Sequence, residues 1–251
     1  MVVIPTYNEL NNITKLIPEI RRILTNSSYS YQILIVDDNS PDGTAKAVEE
    51  IQRSDKRVHL LKRPGKMGLG SAYVEGFAWA LSNLRFDVLV QMDADFSHPP
   101  QDIVRLVAAV EEGSDVALAS RYVKGGGSSR WPWHRRLISK GANFLAHLLL
   151  GISVRDITGG FRAMNRRAVE ELMSYSLNSR GYSYQVECLV VFEKLGLKIV
   201  EVPFTFESRR AGKAKLSIRE VFRFARSIIR MSLKGVARKD AQATKKWERQ
   251  I

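Results

Sequence analysis

The first 120 residues constrain the fold more than any other part of the chain. Short apolar runs alternate there with amphipathic segments at a regular interval. The runs "VVIP" (2–5), "YQILIVD" (31–37), "RVHLL" (57–61), "DVLVQM" (87–92) and "DVALAS" (115–120) have strand length and strand composition. Between them, residues 9–24, 42–53, 69–84 and 100–112 carry helical patterns. This alternation predicts an α/β fold, a mostly parallel central sheet with helices on both faces. Ligands bind such sheets outside the carboxyl ends of the strands. Three of those ends are polar: "PTYNE", "DDNSPDG" and "DADFSHPP".

Beyond residue 120 the rhythm changes. A glycine-rich loop, "KGGGSS" (124–129), leads to "RWPWHRRLISKGANFLAHLLLG", whose last part reads as a helix. "DITGGFRAM" (156–164) reads as a turn and a short strand, followed by a helix near 183–195 and an extended run over 197–206. No linker or internal repeat interrupts the chain, so 1–236 reads as one domain. Its parts are a first half (1–120), a second half (121–216) and a basic helix (217–236), with a charged tail at 237–251. In that helix Arg219, Arg223, Arg226, Arg230 and Lys234 form a cationic stripe beside Ile218, Val221, Phe222, Ala225, Ile228 and Ile229.

The formal net charge of +13 points to an anionic partner: nucleic acid, a phosphorylated substrate or an anionic membrane surface. A single cysteine, Cys188, excludes an internal disulfide and a cysteine metal cluster. No stretch reaches the roughly 18 apolar residues of a membrane-crossing helix, and the opening "MVVIPTYNE" reads as a strand and turn rather than a signal peptide. The four histidines show no metal-ligand spacing.

Chemistry concentrates at the strand ends. Asp93 and Asp95 follow an apolar strand two residues apart, where extended backbone would put both carboxylates on one face and make them repel. A divalent, oxygen-seeking cation removes that repulsion, and Mg²⁺ typically takes one or two carboxylates together with substrate phosphates. At the end of the second strand, Ser40 to Gly43 read as a turn and helix cap, while a carboxylate there can accept N–H bonds from a nucleobase. After the first strand, Asn8 reads as an N-cap and Glu9 as a first-turn acid, or else Tyr7 stacks on a base and Glu9 contacts a nucleoside. "KRPGKMGLGSAYVEG" lacks the order of a phosphate-binding P-loop and reads instead as close backbone packing at Gly68 and Gly70. Three basic clusters suit phosphate-rich substrates: Arg121, then Arg135 with Arg136, then Arg209, Arg210, Lys213 and Lys215.

Read in order, "VVIPTYNE", "ILIVDDNSPDGT", "MGLGSAYVEGF", "VQMDADFSHPP", "ASRYVKGGG", "WHRRLISKGANF", "DITGGFRAM" and "EVPFTFESRRAGKAKLS" resemble the dolichyl-phosphate (polyprenyl-phosphate) mannose synthases of glycosyltransferase family 2. The resemblance runs from residue 2 to about 235. It implies a GT-A fold and inverting, metal-dependent transfer of mannose from GDP-mannose to a polyprenyl or dolichyl phosphate. By that resemblance Pro5, Tyr7, Glu9, Val36 and Asp38 hold the guanosine, and Asp93, Ala94 and Asp95 hold the diphosphate with Mg²⁺ or Mn²⁺. Arg121, Arg209 and Lys215 contact donor phosphate or sugar, and Arg135 and Ser139 grip the acceptor phosphate. Asp95, Arg121 and Arg135 are the residues on which catalysis rests. Some relatives carry glutamine two residues after the acid pair, as a further metal contact, where this chain has Ser97. The resemblance also implies a peripheral place on the cytoplasmic side of a membrane, through the basic helix or a membrane-anchoring partner protein.

A phosphate acceptor explains the absence of an obvious general base. Its second pKa is about 6, so it is mostly dianionic and already nucleophilic at neutral pH. Two rival readings differ in class. A family 2 enzyme using a UDP-sugar, such as UDP-glucose or a UDP-N-acetylhexosamine, keeps the fold and changes the donor. A basic nucleic-acid-binding domain leaves the acid pair unexplained, and no nucleic-acid-binding motif accompanies it.

Overall fold

The computed structural model describes residues 1–128, 133–179, 181–207 and 218–239, of which 133–138, 182 and 218–222 as backbone. The alternating half folds as β1 (Val2–Thr6), α1 (Leu10–Thr25), β2 (Ile33–Asp37), α2 (Thr44–Ser54), β3 (Val58–Lys62), α3 (Leu69–Asn83), β4 (Val88–Gln91), α4 (Asp102–Glu111) and β5 (Val116–Ser120). Every strand and helix read from the pattern is there, each end within about three residues. The second half holds β6 (Gly127–Ser128), α5 (Trp133–Leu150), β7 (Arg162–Asn165), α6 (Arg166–Met173) and α7 (Tyr182–Lys194). It ends with β8 (Ile199–Pro203), β9 (Thr205–Phe206) and α8 (Ile218–Lys234).

Seven strands form one sheet in the order β3-β2-β1-β4-β7-β5-β8. All neighbours pair parallel except β7, which runs antiparallel to both β4 and β5. A buried apolar layer covers each face. On one side α1, α2 and α4 bring Ile13, Leu16, Ile17, Ile20, Val48, Ile103 and Leu106 against Val2, Ile4, Ile33 and Ile35. On the other, α3, α6, α7 and α8 bring Phe77, Leu172, Leu189 and Ile228 against Val3, Leu34 and Val36. Burial on both faces explains why β2 reads as the unbroken run "ILIV" rather than as an alternation. Ile13, Leu16, Ile17, Ile20 and Leu24 of α1 recur at spacings of three and four, which is why these five are buried together.

Helix α6 does not figure in the sequence expectations. Asn165 caps it, its side chain accepting the Ala168 N–H at 2.7 Å, and Ala168, Val169, Leu172 and Met173 are buried. The two glycines expected to serve close packing divide their roles. A Cβ on Gly70 would meet the Ser179 carbonyl at 2.7 Å, whereas Gly68 has open space and a left-handed φ of +105°. Gly68 is there for its backbone conformation.

Helix α3 lies hard against the sheet because Gly76 has no side chain. A Cβ there would meet Val3 Cγ1 at 2.8 Å and Val36 Cγ2 at 2.9 Å. Gly76→Ala gains some helix propensity but overpacks this contact. It should lower the unfolding free energy by about 1–2 kcal/mol net, read by denaturant titration.

Candidate active site at the strand ends

The sheet order reverses between β1 and β4: from β1 the chain winds outward through β2 and β3, then returns to place β4 on the other side. That reversal opens a crevice at the carboxyl ends, where ligands bind in open α/β sheets. The loops after β2, β1 and β4 stand side by side there.

The first two loops are laced together. The N–H of Asn8 donates to Ser40 Oγ at 3.0 Å, that of Glu9 to Thr44 Oγ1 at 3.1 Å, and that of Leu10 to Asp42 Oδ2 at 3.1 Å. The amino terminus of α1 is thus capped from another loop. This corrects the reading of Asn8 as the cap: Glu9 holds that position without a side-chain cap bond, and Asn8 takes a left-handed φ of 59°. Asp42 also accepts the N–H and hydroxyl of Thr44 at 3.0 and 2.5 Å. Burial opposes its ionisation, but the bonds from Thr44 and Leu10 outweigh burial and hold the carboxyl below its usual range.

The two acids closing β2 have different tasks. Asp37 is fully buried and accepts from Thr6 Oγ1 (2.7 Å), the Ser40 N–H (2.8 Å) and Ser40 Oγ (2.6 Å). Asp38 pairs with Arg63, whose side chain is wholly buried and whose other terminal nitrogen donates to Ser71 (2.7 Å) and Glu75 (2.9 Å). Nearby, Lys66 Nζ sits 4.1 Å from the centroid of the Tyr7 ring, and Glu9 accepts from Asn12 at 2.6 Å. Pro5 and Val36 face each other across the β1–β2 ladder. Val36 turns its side chain into the core against α3, so it offers the crevice only backbone.

Strand β4 ends at Gln91, so Asp93 and Asp95 lie in the following loop rather than on one face of a strand. This corrects the geometry behind the acid-pair argument while leaving both acids at the crevice. Asp93 Oδ1 accepts from Tyr73 Oη at 2.9 Å, and its N–H donates to His98 Nδ1 at 3.0 Å. The second bond assigns His98 the tautomer protonated at Nε2. Asp95 is 6% exposed and its Oδ1 accepts the Ser97 N–H at 3.0 Å. Ala94 is buried as well. Phe96 holds a φ of 63°, a costly conformation for a bulky residue. The non-glycine residues with positive φ among those described are Asn8, Asn39 and Phe96, one in each of the three loops.

Two carboxylates are hard oxygen donors. Among the described residues no cluster of three or more His, Cys, Asp or Glu could enclose a cation. Two such donors suit a hard divalent cation whose remaining positions substrate oxygens complete.

A second group lies beyond β5. Arg121 binds Asp156 through Nε (2.7 Å) and Nη2 (2.6 Å) and donates from Nη2 to Thr158 at 2.7 Å, with Asp156 fully buried. A cavity of about 330 Å³ opens beside it, lined by Arg121, Tyr122, Gly127, Ser128 and Lys140. Ser139 stands behind this wall, its Oγ accepting from the Tyr122 hydroxyl at 2.7 Å. Phe206 connects the two groups, with its ring centroid 5.6 Å from the Arg121 guanidinium and 6.4 Å from the His98 ring. Arg209 and Lys215 lie outside the described residues, as does the Arg135 side chain, although its backbone falls in the first turn of α5.

Residues 1–173 match the family pattern of Glycosyl transferase family 2. The chain belongs to this family. It is 42% identical over 218 residues to the polyprenol monophosphomannose synthase of Mycolicibacterium smegmatis, covering 86% of this chain and 80% of that protein. It is 39% identical over 217 residues to the undecaprenyl-phosphate mannosyltransferase of Micrococcus luteus, covering 86% and 87%. Among solved structures, glucosyl-3-phosphoglycerate synthase from Mycobacterium tuberculosis, in complex with Mn²⁺, UDP-glucose and glycerol 3-phosphate, superposes with a TM-score of 0.63 at 20% identity. That likeness covers 96% of this chain and 80% of the other, and it shows the shared GT-A fold. The molecule is therefore a glycosyltransferase.

Sequence reasoning overlooked Arg63, Tyr73 and Asp156. Nothing in "LKRPG" marks Arg63 as buried, and Tyr73 sits mid-helix among apolar residues. Asp156 had a visible signal: an acid opening a Thr-Gly-Gly turn, matched to an arginine at the end of the fifth strand. Replacing Asp156 with Ala removes the carboxylate that accepts two bonds from the nearly buried Arg121 guanidinium. The variant should lose about 3–5 kcal/mol of stability in denaturant unfolding.

Proposed function

We propose that this glycosyltransferase moves mannose from GDP-mannose to a polyprenyl or dolichyl phosphate, with inversion at the sugar and with Mg²⁺ or Mn²⁺. One observation carries the acceptor assignment. Lys140, Phe144 and Leu148 follow one another at intervals of four on α5, so they share a helix face. Lys140 lines the 330 Å³ cavity, while Phe144 and Leu148 are each 69% exposed. A cation at a cavity followed by bare apolar side chains suits a phosphate with a hydrocarbon tail. The names of the two bacterial relatives support both the sugar and the lipid-phosphate acceptor.

The donor side is read from the two laced loops and the acid-bearing loop after β4. Tyr7 offers a ring face to a base, and the Asp38 carboxylate, fixed by Arg63, offers an acceptor to ring N–H groups. Asp93 and Asp95 would hold the metal, which supplies positive charge to the departing diphosphate. The acceptor dianion needs no base to activate it, so the protein's work is to bring two anions together. Arg121 and Lys140 on the cavity wall, with Arg135, Arg209 and Lys215, would offset their repulsion. Ser139, bonded to the cavity residue Tyr122, would give an acceptor phosphate a hydroxyl contact.

Two helices would seat the protein on its lipid. Helix α8 packs against α5 and α7 through Ile228 and Met231, and leaves Ile229 (51%) and Leu233 (79%) exposed. Arg223 and Arg226 are exposed on the same helix. Among the described residues no helix is long and apolar enough to cross a bilayer. Exposed apolar residues with neighbouring cations suit a peripheral place on an anionic surface.

The decisive assay offers purified protein a polyprenyl phosphate in detergent with labelled GDP-mannose or UDP-glucose, with Mg²⁺ or with EDTA. Label should reach the lipid from GDP-mannose alone, and only with the metal. Label from UDP-glucose instead overturns the donor. Asp95→Ala should abolish transfer; near-normal turnover in that variant removes the metal assignment.

Vesicle sedimentation tests the seat. Replacing Arg223 and Arg226 with Glu, or Phe144 and Leu148 with Ser, should reduce binding to vesicles containing phosphatidylglycerol. Undiminished binding by both variants overturns it.

A further inference from the structure

We infer that Tyr73 is a positioning residue for the acid pair: its buried hydroxyl fixes the Asp93 carboxylate in the orientation that receives the metal and diphosphate. The inference rests on the reading of Asp93 and Asp95 as metal ligands.

The geometry is specific. Tyr73 is fully buried, yet its Oη reaches the loop after β4 and donates to Asp93 Oδ1 at 2.9 Å. Two aromatic contacts hold the ring. Its centroid lies 5.8 Å from that of Tyr184 with the planes 9° apart, and 5.8 Å from that of Phe77. The helix beneath is fixed at both ends of this stretch, since Gly70 meets Ser179 and Tyr184 and Gly76 meets Val3 and Val36.

The other side of Asp93 is held from the main chain, through its N–H to His98 Nδ1. His98 is itself stacked on Phe161 at 4.9 Å and 9°. With its main chain bonded to His98 and Oδ1 bonded to Tyr73, the carboxylate is steadied from two sides, and Oδ2 is the oxygen that Tyr73 does not engage. A ligand carboxylate without such support must be ordered by the metal itself, which weakens binding. Loss of an outer hydrogen bond of this kind typically costs 10–100-fold in metal affinity or activity.

Tyr184 supplies an internal control. It stacks on the same ring and is equally buried, but its hydroxyl lies beside Cys188 and not beside an acid of the site. Tyr73→Phe and Tyr184→Phe therefore remove the same atom from the same stack, and only the first touches Asp93.

The test measures Mn²⁺ binding in the presence of GDP by the loss of free-Mn²⁺ electron paramagnetic resonance signal, with transfer assayed in parallel. Tyr73→Phe should raise half-saturating Mn²⁺ by about 10-fold or more, recover much of its turnover at saturating Mn²⁺, and leave GDP affinity without metal unchanged. Tyr184→Phe should leave half-saturation where it is. An unshifted Tyr73→Phe, or an equal shift in both variants, overturns the inference. Asp93→Asn separates the two ways of failing. If that variant has lost Mn²⁺ binding, the metal reading stands and the positioning role alone falls; if it binds normally, both fall. Should Tyr73→Phe fail to fold in thermal unfolding, a crystal structure of the wild-type protein with Mn²⁺ and GDP decides. Tyr73 Oη retained on Asp93 supports the inference, and separation beyond hydrogen-bonding reach overturns it.

Discussion

The carboxylate of Asp42 ties together two loops that come from different strand–helix units. It accepts the Leu10 N–H at the start of α1 and the Thr44 N–H at the start of α2. Both are orphan donors that a helix cannot satisfy from within. Thr44 and Ser40 add bonds to Glu9 and Asn8, so the loop carrying Tyr7 and Glu9 is built against the loop carrying Asp38. The crevice between β1 and β4 inherits its shape from this junction. Asp37, one layer below, performs the same service for Thr6 and Ser40.

Charge is managed in three distinct ways beneath the crevice. Arg63 is buried against Asp38 and Glu75, and Arg121 is nearly buried against Asp156. Arg162 is fully buried on the opposing strand and meets only the Gly159 carbonyl and Gln185 through Nη2, with Nε and Nη1 unpartnered among the described residues. A guanidinium held without a carboxylate is expensive in a low-dielectric interior. The field of Arg162 reaches the Tyr73 phenol and opposes the raising effect of burial. The chain's large basic surplus is therefore not simply a charged skin. Part of it is spent in fixed pairs, and part supplies positive potential from below the site.

The fold was legible because its period is simple. Apolar runs such as "ILIV" and the three-and-four spacing of Ile13, Leu16, Ile17 and Ile20 each have one structural solution. Helix α6 was equally written, with Asn165 before Ala168, Val169, Leu172 and Met173, but at eight residues it fell beneath the length at which periodicity speaks. The loops at the strand ends were legible as chemistry and not as geometry. Asp93 and Asp95 were found by their spacing, yet the strand stops before them, a boundary that no composition rule marks. Asn8 and Asn39 are residue types that tolerate left-handed backbone, whereas Phe96 is not, and only tertiary context imposes that conformation. The apolar residues of α8 illustrate the same limit. Ile228 and Ile229 are identical neighbours in the sequence, but one is in the core and the other is 51% exposed.

The antiparallel strand β7 has a consequence for the order in which the sheet can be completed. Strands β4 and β5 are consecutive in the chain, yet they never pair; Arg162–Asn165 lies between them and bonds to both. A nascent chain that has reached β5 therefore owns a four-stranded sheet whose β4 edge is open, together with a fifth strand that has nothing to join. Closure waits for a segment some forty residues downstream, which raises the sequence separation of the central contacts and slows their formation. Until then the unpaired edge is a template for the wrong partner. The family pattern ends at residue 173, the last residue of α6, so it takes in β7 and with it the strand that fills the gap in the sheet.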